Sequence, residues 1–84
     1  MKLKFGWRSR QRWERILPDD TCVATINYAS EYGKYLVTRY KLNLKVRRER
    51  DSKIFRTLKA AMTWVDSDKD LMVHEVLIKL DKRG

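Results

Sequence analysis

From Tyr35 to Val46 the chain alternates between two kinds of position with a period of two, the spacing of a strand with one face toward a core. Leu36, Thr38, Tyr40, Leu42, Leu44 and Val46 share one face, and Tyr35, Val37, Arg39, Lys41, Asn43 and Lys45 share the other. The first set reads as core and the second as a largely basic surface. Residues 22–28, CVATINY, are rich in β-branched side chains and predict a second strand. Between the two, Ala29-Ser30-Glu31-Tyr32-Gly33-Lys34 has the length of a hairpin loop and a glycine free to take positive φ.

Upstream, Leu17-Pro18-Asp19-Asp20-Thr21 carries turn chemistry: proline presets φ, and aspartate side chains accept bonds from nearby amides. The residues before it admit two readings. Residues 10–17 form a strand paired with 22–28 across the turn, or Ser9 caps a short helix that Pro18 stops. The turn lies between two short apolar runs, which favours the strand. In KFGWRSRQRW, residues 4–13, Lys4, Arg8, Arg10 and Arg12 fall on even positions and Phe5, Trp7 and Trp13 on odd ones. The aromatics are assigned to the core, since so short a chain needs large apolar residues to close one.

Residues 47–53, RRERDSK, contain no apolar side chain and predict a loop. After Ile54-Phe55, Thr57 is placed to cap a helix, and Leu58, Ala61, Met62 and Val65 recur at the spacing of a core-facing stripe. Ser67 or Asp68 is placed to cap the next element. Residues 71–80 fit a helix through Val73, Val76, Leu77 and Leu80, with Glu75 and Lys79 four apart, and fit a strand through Val76, Ile78 and Leu80. The expected fold is therefore a single α+β domain over residues 1–84. It is a three- or four-stranded antiparallel meander with one helix, about 57–66, on one face, and a C-terminal strand or short helix.

At 84 residues and 43% hydrophobic content the chain has room for one modest core. Its longest apolar runs are about three residues, against the roughly 20 of a membrane helix, and no apolar stretch follows the basic start. One cysteine, Cys22, fits a reducing compartment. A soluble, cytoplasmic protein is expected.

The residues give catalysis little to work with. A nucleophile needs a base and an orienting group, and the chain has one histidine, His74, in an apolar run, and one cysteine, Cys22, on a predicted strand. One His and one Cys do not close a metal site. Asp66-Ser67-Asp68-Lys69-Asp70 resembles a calcium loop faintly but lacks the turn glycine and the terminal glutamate. The glycines at 6, 33 and 84 are isolated, so there is no phosphate-cradling loop. The expectation is a binding protein with no enzymatic activity, no cofactor, no metal, no small-molecule substrate and no membrane partner.

Charge points to the partner. The net charge is +9 and the isoelectric point is about 10.0. Residues 1–15 hold six bases against one acid, residues 34–56 nine against two, and residues 66–81 two against five. A basic body with a more acidic C-terminal end is the footprint of a polyanion partner. The candidate nucleic-acid-binding residues are Lys4, Arg8, Arg10 and Arg12 from the N-terminal run, Arg39, Lys41 and Lys45 from the strand face, and Arg47, Arg48 and Arg50 from the loop. Tyr35, on the same strand face, is placed to stack on a base. In a meander both basic groups share one side of the sheet, where successive phosphates are neutralised and affinity falls with salt. DNA or RNA is the first expected partner. The rival is a small inhibitor or adaptor that grips an acidic surface of another protein.

The run from Phe55 through Thr57 to Val65 also carries a resemblance in outline. A Phe closes the sheet, a Thr caps the helix and alanines permit close packing. Over residues 10–66 this order is similar to the plant AP2-type and integrase arm-type DNA-binding domains, which implies DNA reading by the sheet. Residues 47–53 stand where those domains have a tight glycine-containing turn. Small phage proteins that inhibit a host enzyme look alike in outline too.

Overall fold

A computed structural model describes residues 6–42 and 47–83. Its elements are β1 (Trp7–Ser9), β2 (Trp13–Ile16), β3 (Cys22–Ala29), β4 (Lys34–Tyr40), β5 (Glu49–Phe55), α1 (Leu58–Asp66) and α2 (Lys69–Arg83). The strands form one antiparallel meander in the order β1-β2-β3-β4-β5. The architecture is α+β, with five strands among the described residues and two helices in place of three or four strands and one helix.

Turn chemistry sets the hairpins. Asp19 Oδ1 accepts the Thr21 N–H at 3.0 Å, and Asp20 takes a φ of 69° to close the β2–β3 turn. Gly33, at φ 60°, closes the β3–β4 loop. At the start of the sheet Gly6 has φ +85°, and a Cβ there would lie 2.1 Å from Arg15 Nη1. Only glycine lets the backbone pass that guanidinium.

The register sorts the side chains into rows. One row runs Trp7–Arg15–Ala24–Arg39–Asp51, and the next runs Ser9–Trp13–Ile26–Val37–Lys53. These rows lie under the helices. Val37 and Ile26 are fully buried there, with Ala61, Met62 and Val65 of α1 and Leu71 of α2 in the same core. Each such side chain stabilises the fold by about 1.5–3 kcal/mol. The opposite face, which neither helix covers, carries the row Arg8–Glu14–Thr25–Thr38–Ser52, in which Glu14 and Thr25 are buried, and beside it Asn27–Leu36–Ile54; it is called the open face below. Shifts in register at Arg15/Ile16 and at Arg39/Tyr40 mark irregularities in the β2–β3 and β4–β5 pairings.

This arrangement reverses the face expected for β4. Val37 is 0% exposed whereas Leu36 is 39% exposed, so Tyr35, Val37 and Arg39 point to the core and Leu36, Thr38 and Tyr40 point away. The strand ends at Tyr40. Leu42 lies beyond it, and Leu44 and Val46 fall outside the described residues, so the long alternation that set the parity is not all strand. Residues 49–53 are likewise part of β5, where a loop is expected. Its inward charges are satisfied in place, because Asp51 meets Arg39 and Arg50 meets Asp68.

Thr57 caps α1 through Oγ1, which accepts the Ala60 N–H at 3.1 Å. Asp68 Oδ1 accepts the Asp70 N–H at 3.1 Å at the start of α2. Residues 71–80 are helix throughout.

Candidate nucleic-acid interface

The sheet divides the predicted site residues between its two faces. Arg39 lies under the helices. Its Nε and Nη2 donate to Asp51 at 2.8 and 2.5 Å, its guanidinium carbon sits 3.6 Å from the centroid of the Trp64 ring, and Asp68 is 4.0 Å away. The bond to Asp51 holds the Arg39 pKa above its ordinary value. Arg50 is bound to Asp68. Tyr35 packs between Trp13 and Tyr28, with ring centroids at 5.9 and 4.9 Å. These three are structural parts of the helix-covered side and do not join a basic surface with Arg8. Lys4 and Lys45 lie outside the described residues.

Lys41 lines a groove beside α2 with Leu42, Arg50, Val73, His74 and Leu77, and the Arg48 carbonyl accepts the Lys41 N–H at 2.7 Å. The open face keeps Arg8, Arg10 and Arg12 together. Arg8 Nε donates to Glu14 Oε1 at 2.8 Å, and Arg12 Nε approaches the other carboxylate oxygen at 3.9 Å. The Arg8 hydrogen bond, aided by the positive charges of Arg8, Arg12 and Arg10, lowers the Glu14 pKa. Arg10, Gln11, Arg12 and Glu14 line a shallow depression of about 480 Å³. From the segment before β5 the Arg47 guanidinium lies 5.1 Å from the ring centroid of Tyr40, at the end of β4, and the Tyr40 hydroxyl is 3.4 Å from Thr25 Oγ1 on β3. Cys22, buried on the same side, has its thiol pKa raised by burial, with Arg47 and Arg12 pulling the other way. Arg12 and Arg47 thus act on one point from different hairpins.

The chain matches no protein-family model, no curated protein and no solved structure.

Around Glu14, three arginines, Arg8, Arg10 and Arg12, therefore act on one carboxylate. Arg10, Lys41 and Arg48 make no ion pair among the described residues. The arrangement suits an extended anion, because guanidinium forks reach phosphate or carboxylate oxygens in pairs. No group of three or more His, Cys, Asp and Glu side chains able to hold a metal occurs among the described residues, and no helix there is long and apolar enough to cross a membrane.

Sequence reasoning missed two residues that shape this site. Glu14 orients Arg8 and Arg12, a role visible only once β1 and β2 are paired. Arg15 is 6% exposed and turned to the helix side, where Nε donates to Asp66 at 2.9 Å and the two Nη atoms donate to Glu75 at 3.1 and 3.2 Å. Burial opposes its charge, and the hydrogen bonds it donates to Glu75 and Asp66 more than offset that. Its odd position, shared with Trp7 and Trp13, was the available signal.

Proposed function

We propose that this protein is a non-catalytic nucleic-acid-binding domain that holds the phosphate backbone on the open face of its sheet. Arg8, Arg10, Arg12 and Arg47 form the contact. The observation that carries the reading is the gathering of Arg8, Arg10 and Arg12 around a single carboxylate, Glu14, with Arg47 and Arg12 both acting on the neighbouring Cys22. Glu14 pairs with Arg8 and Arg12, and one carboxylate among these arginines leaves positive charge in excess, so bound phosphates displace counterions. Arg39, Arg50 and Tyr35 are not part of the proposed contact.

The test is anisotropy of a labelled generic duplex and a labelled RNA, measured from about 50 to 200 mM salt. Binding is expected to decline linearly in log salt. Arg10→Glu and Arg12→Glu should each weaken it and flatten the slope by about one or more, with an unchanged melting curve. No binding of either probe at about 50 mM salt refutes the proposal.

A second reading draws on one further observation. On the same face Ile54 is 60% exposed beside its cross-strand neighbour Leu36, and an apolar pair beside arginines also suits an acidic protein surface. That reading expects one partner retained from nuclease-treated lysate and lost with Ile54→Lys. The same substitution should leave nucleic-acid binding intact or strengthen it.

A further inference from the structure

The second helix turns apolar side chains outward. Met72, Val73, Val76, Leu77 and Leu80 are 48–60% exposed, and four of them, at 73, 76, 77 and 80, form a continuous helical stripe. The inward side of α2 is a different set: Leu71 in the core, Ile78 packed against it, and Glu75 on Arg15. At its base the stripe runs into a groove of about 540 Å³ lined by Leu42, Arg50, Val73, His74 and Leu77, among others.

We propose that two copies of this chain pair through α2, the two helices crossing antiparallel about a two-fold axis at the level of Val76 and Leu77. The stripe is symmetric about that level. Val73 of one copy then meets Leu80 of the other, and Val76 meets Leu77, so apolar lies on apolar along the whole contact, as a self-complementary interface requires. Charge selects the same surface. Over Lys69–Leu80 the exposed charges are Lys69 and Lys79 against Asp70, with Glu75 turned in to Arg15, so two chains of net charge +9 meet with less repulsion there than across the arginine-rich face. The same balance argues against a lipid surface, since an interfacial helix carries a strongly basic polar face. Area sets the strength. Five half-exposed side chains present on the order of 450 Å² per copy, or about 900 Å² for the pair, which falls among weak and transient interfaces. The dimer should therefore form at high concentration. This inference stands apart from nucleic-acid binding and fails or holds separately from it.

Sedimentation equilibrium of the full chain, from about 10 µM to 1 mM with no nucleic acid present, tests it. The expected weight-average mass rises from 10.2 kDa toward twice that value, with half-association on the order of 100 µM. Val73→Lys and Leu77→Lys should remain monomeric throughout and keep the wild-type far-UV circular dichroism, since both positions face solvent. A mass that stays at the monomer value to 1 mM overturns the proposal. So does association that both lysine variants leave unchanged, because the contact then lies elsewhere.

Discussion

Replacing Arg39 by alanine separates a structural arginine from a ligand-binding one. The substitution removes a two-point bond to Asp51 and a guanidinium stacked on Trp64. Charge-assisted hydrogen bonds contribute about 1.5–3 kcal/mol. The Asp51 side chain is 41% exposed, so screening by water keeps that part near the lower figure. Stacking on Trp64 adds about 1 kcal/mol. Asp68 retains Arg50, so no buried carboxylate is left alone. The sum is about 2–3 kcal/mol out of the roughly 4–12 expected of a domain this size. Urea unfolding followed by tryptophan fluorescence should show a midpoint lower by about 2 M at unchanged slope, and the melting temperature should fall by about 10–20 °C. Arg39→Met, which keeps an apolar stem over Trp64, should recover part of the loss. Arg10→Ala should change stability by less than about 0.5 kcal/mol. An Arg39→Ala protein within about 0.5 kcal/mol of wild type that has lost nucleic-acid affinity would refute this placement of the side chain.

Gly6→Ala should cost about 2–4 kcal/mol in thermal unfolding, because a positive φ and a displaced Arg15 guanidinium add together. Acid should destabilise the fold. The Asp51 carboxyl is held below its ordinary value by the Arg39 hydrogen bond, and Glu14 by the Arg8 hydrogen bond. A depressed folded pKa stabilises the native state above the unfolded pKa and ceases to do so as pH falls through the folded one. Stability should thus be level above about pH 5 and decline below about pH 4, and Asp51→Asn should flatten part of that decline in a series of urea melts.

Elements whose signal is local were legible in the sequence: the Leu17–Thr21 turn, the Thr57 cap, the α1 stripe, and the pairing of the run before Pro18 with 22–28, expected over 10–17 and found at Trp13–Ile16. The face of β4 was not. Within Lys34–Tyr40 the two faces offer Leu36, Thr38 and Tyr40 against Tyr35, Val37 and Arg39, which are nearly equal in apolar content. The deciding weight came from Leu42, Leu44 and Val46, beyond the strand's end. Because the period is two, that one choice inverted every assignment on the strand. Arg39 and Tyr35 therefore left the candidate site, while Arg8, Arg10 and Arg12 kept their places on the open face. β5 escaped notice for a related reason. Its first five residues, Glu49 to Lys53, have no hydrophobic period, and its inward charges are tolerated only because Arg39 and Asp68 meet them.

The same inward charges explain why α2 presents its more apolar side to water. Hydrophobic spacing alone would turn Val73, Val76, Leu77 and Leu80 to the core. Arg15, buried between β1 and β3, instead requires carboxylates, and an unpaired buried guanidinium would cost several kcal/mol. Asp66 supplies one from the end of α1 and Glu75 the other from α2. With 100° per residue, fixing Glu75 inward brings Leu71 and Ile78 with it and rotates Val73 and Leu77 roughly 200° away. Asp66, Asp68 and Glu75 are consumed in this way, so much of the acid concentrated at 66–81 is turned inward against strand arginines. The expected basic-to-acidic division of the chain consequently does not carry through to the surface. Internal pairs are neutral, and the +9 excess is carried by side chains outside them. One buried arginine thus sets both external features: it draws acids inward, away from the surface that is left basic, and it holds outward the helix stripe on which a second copy would dock.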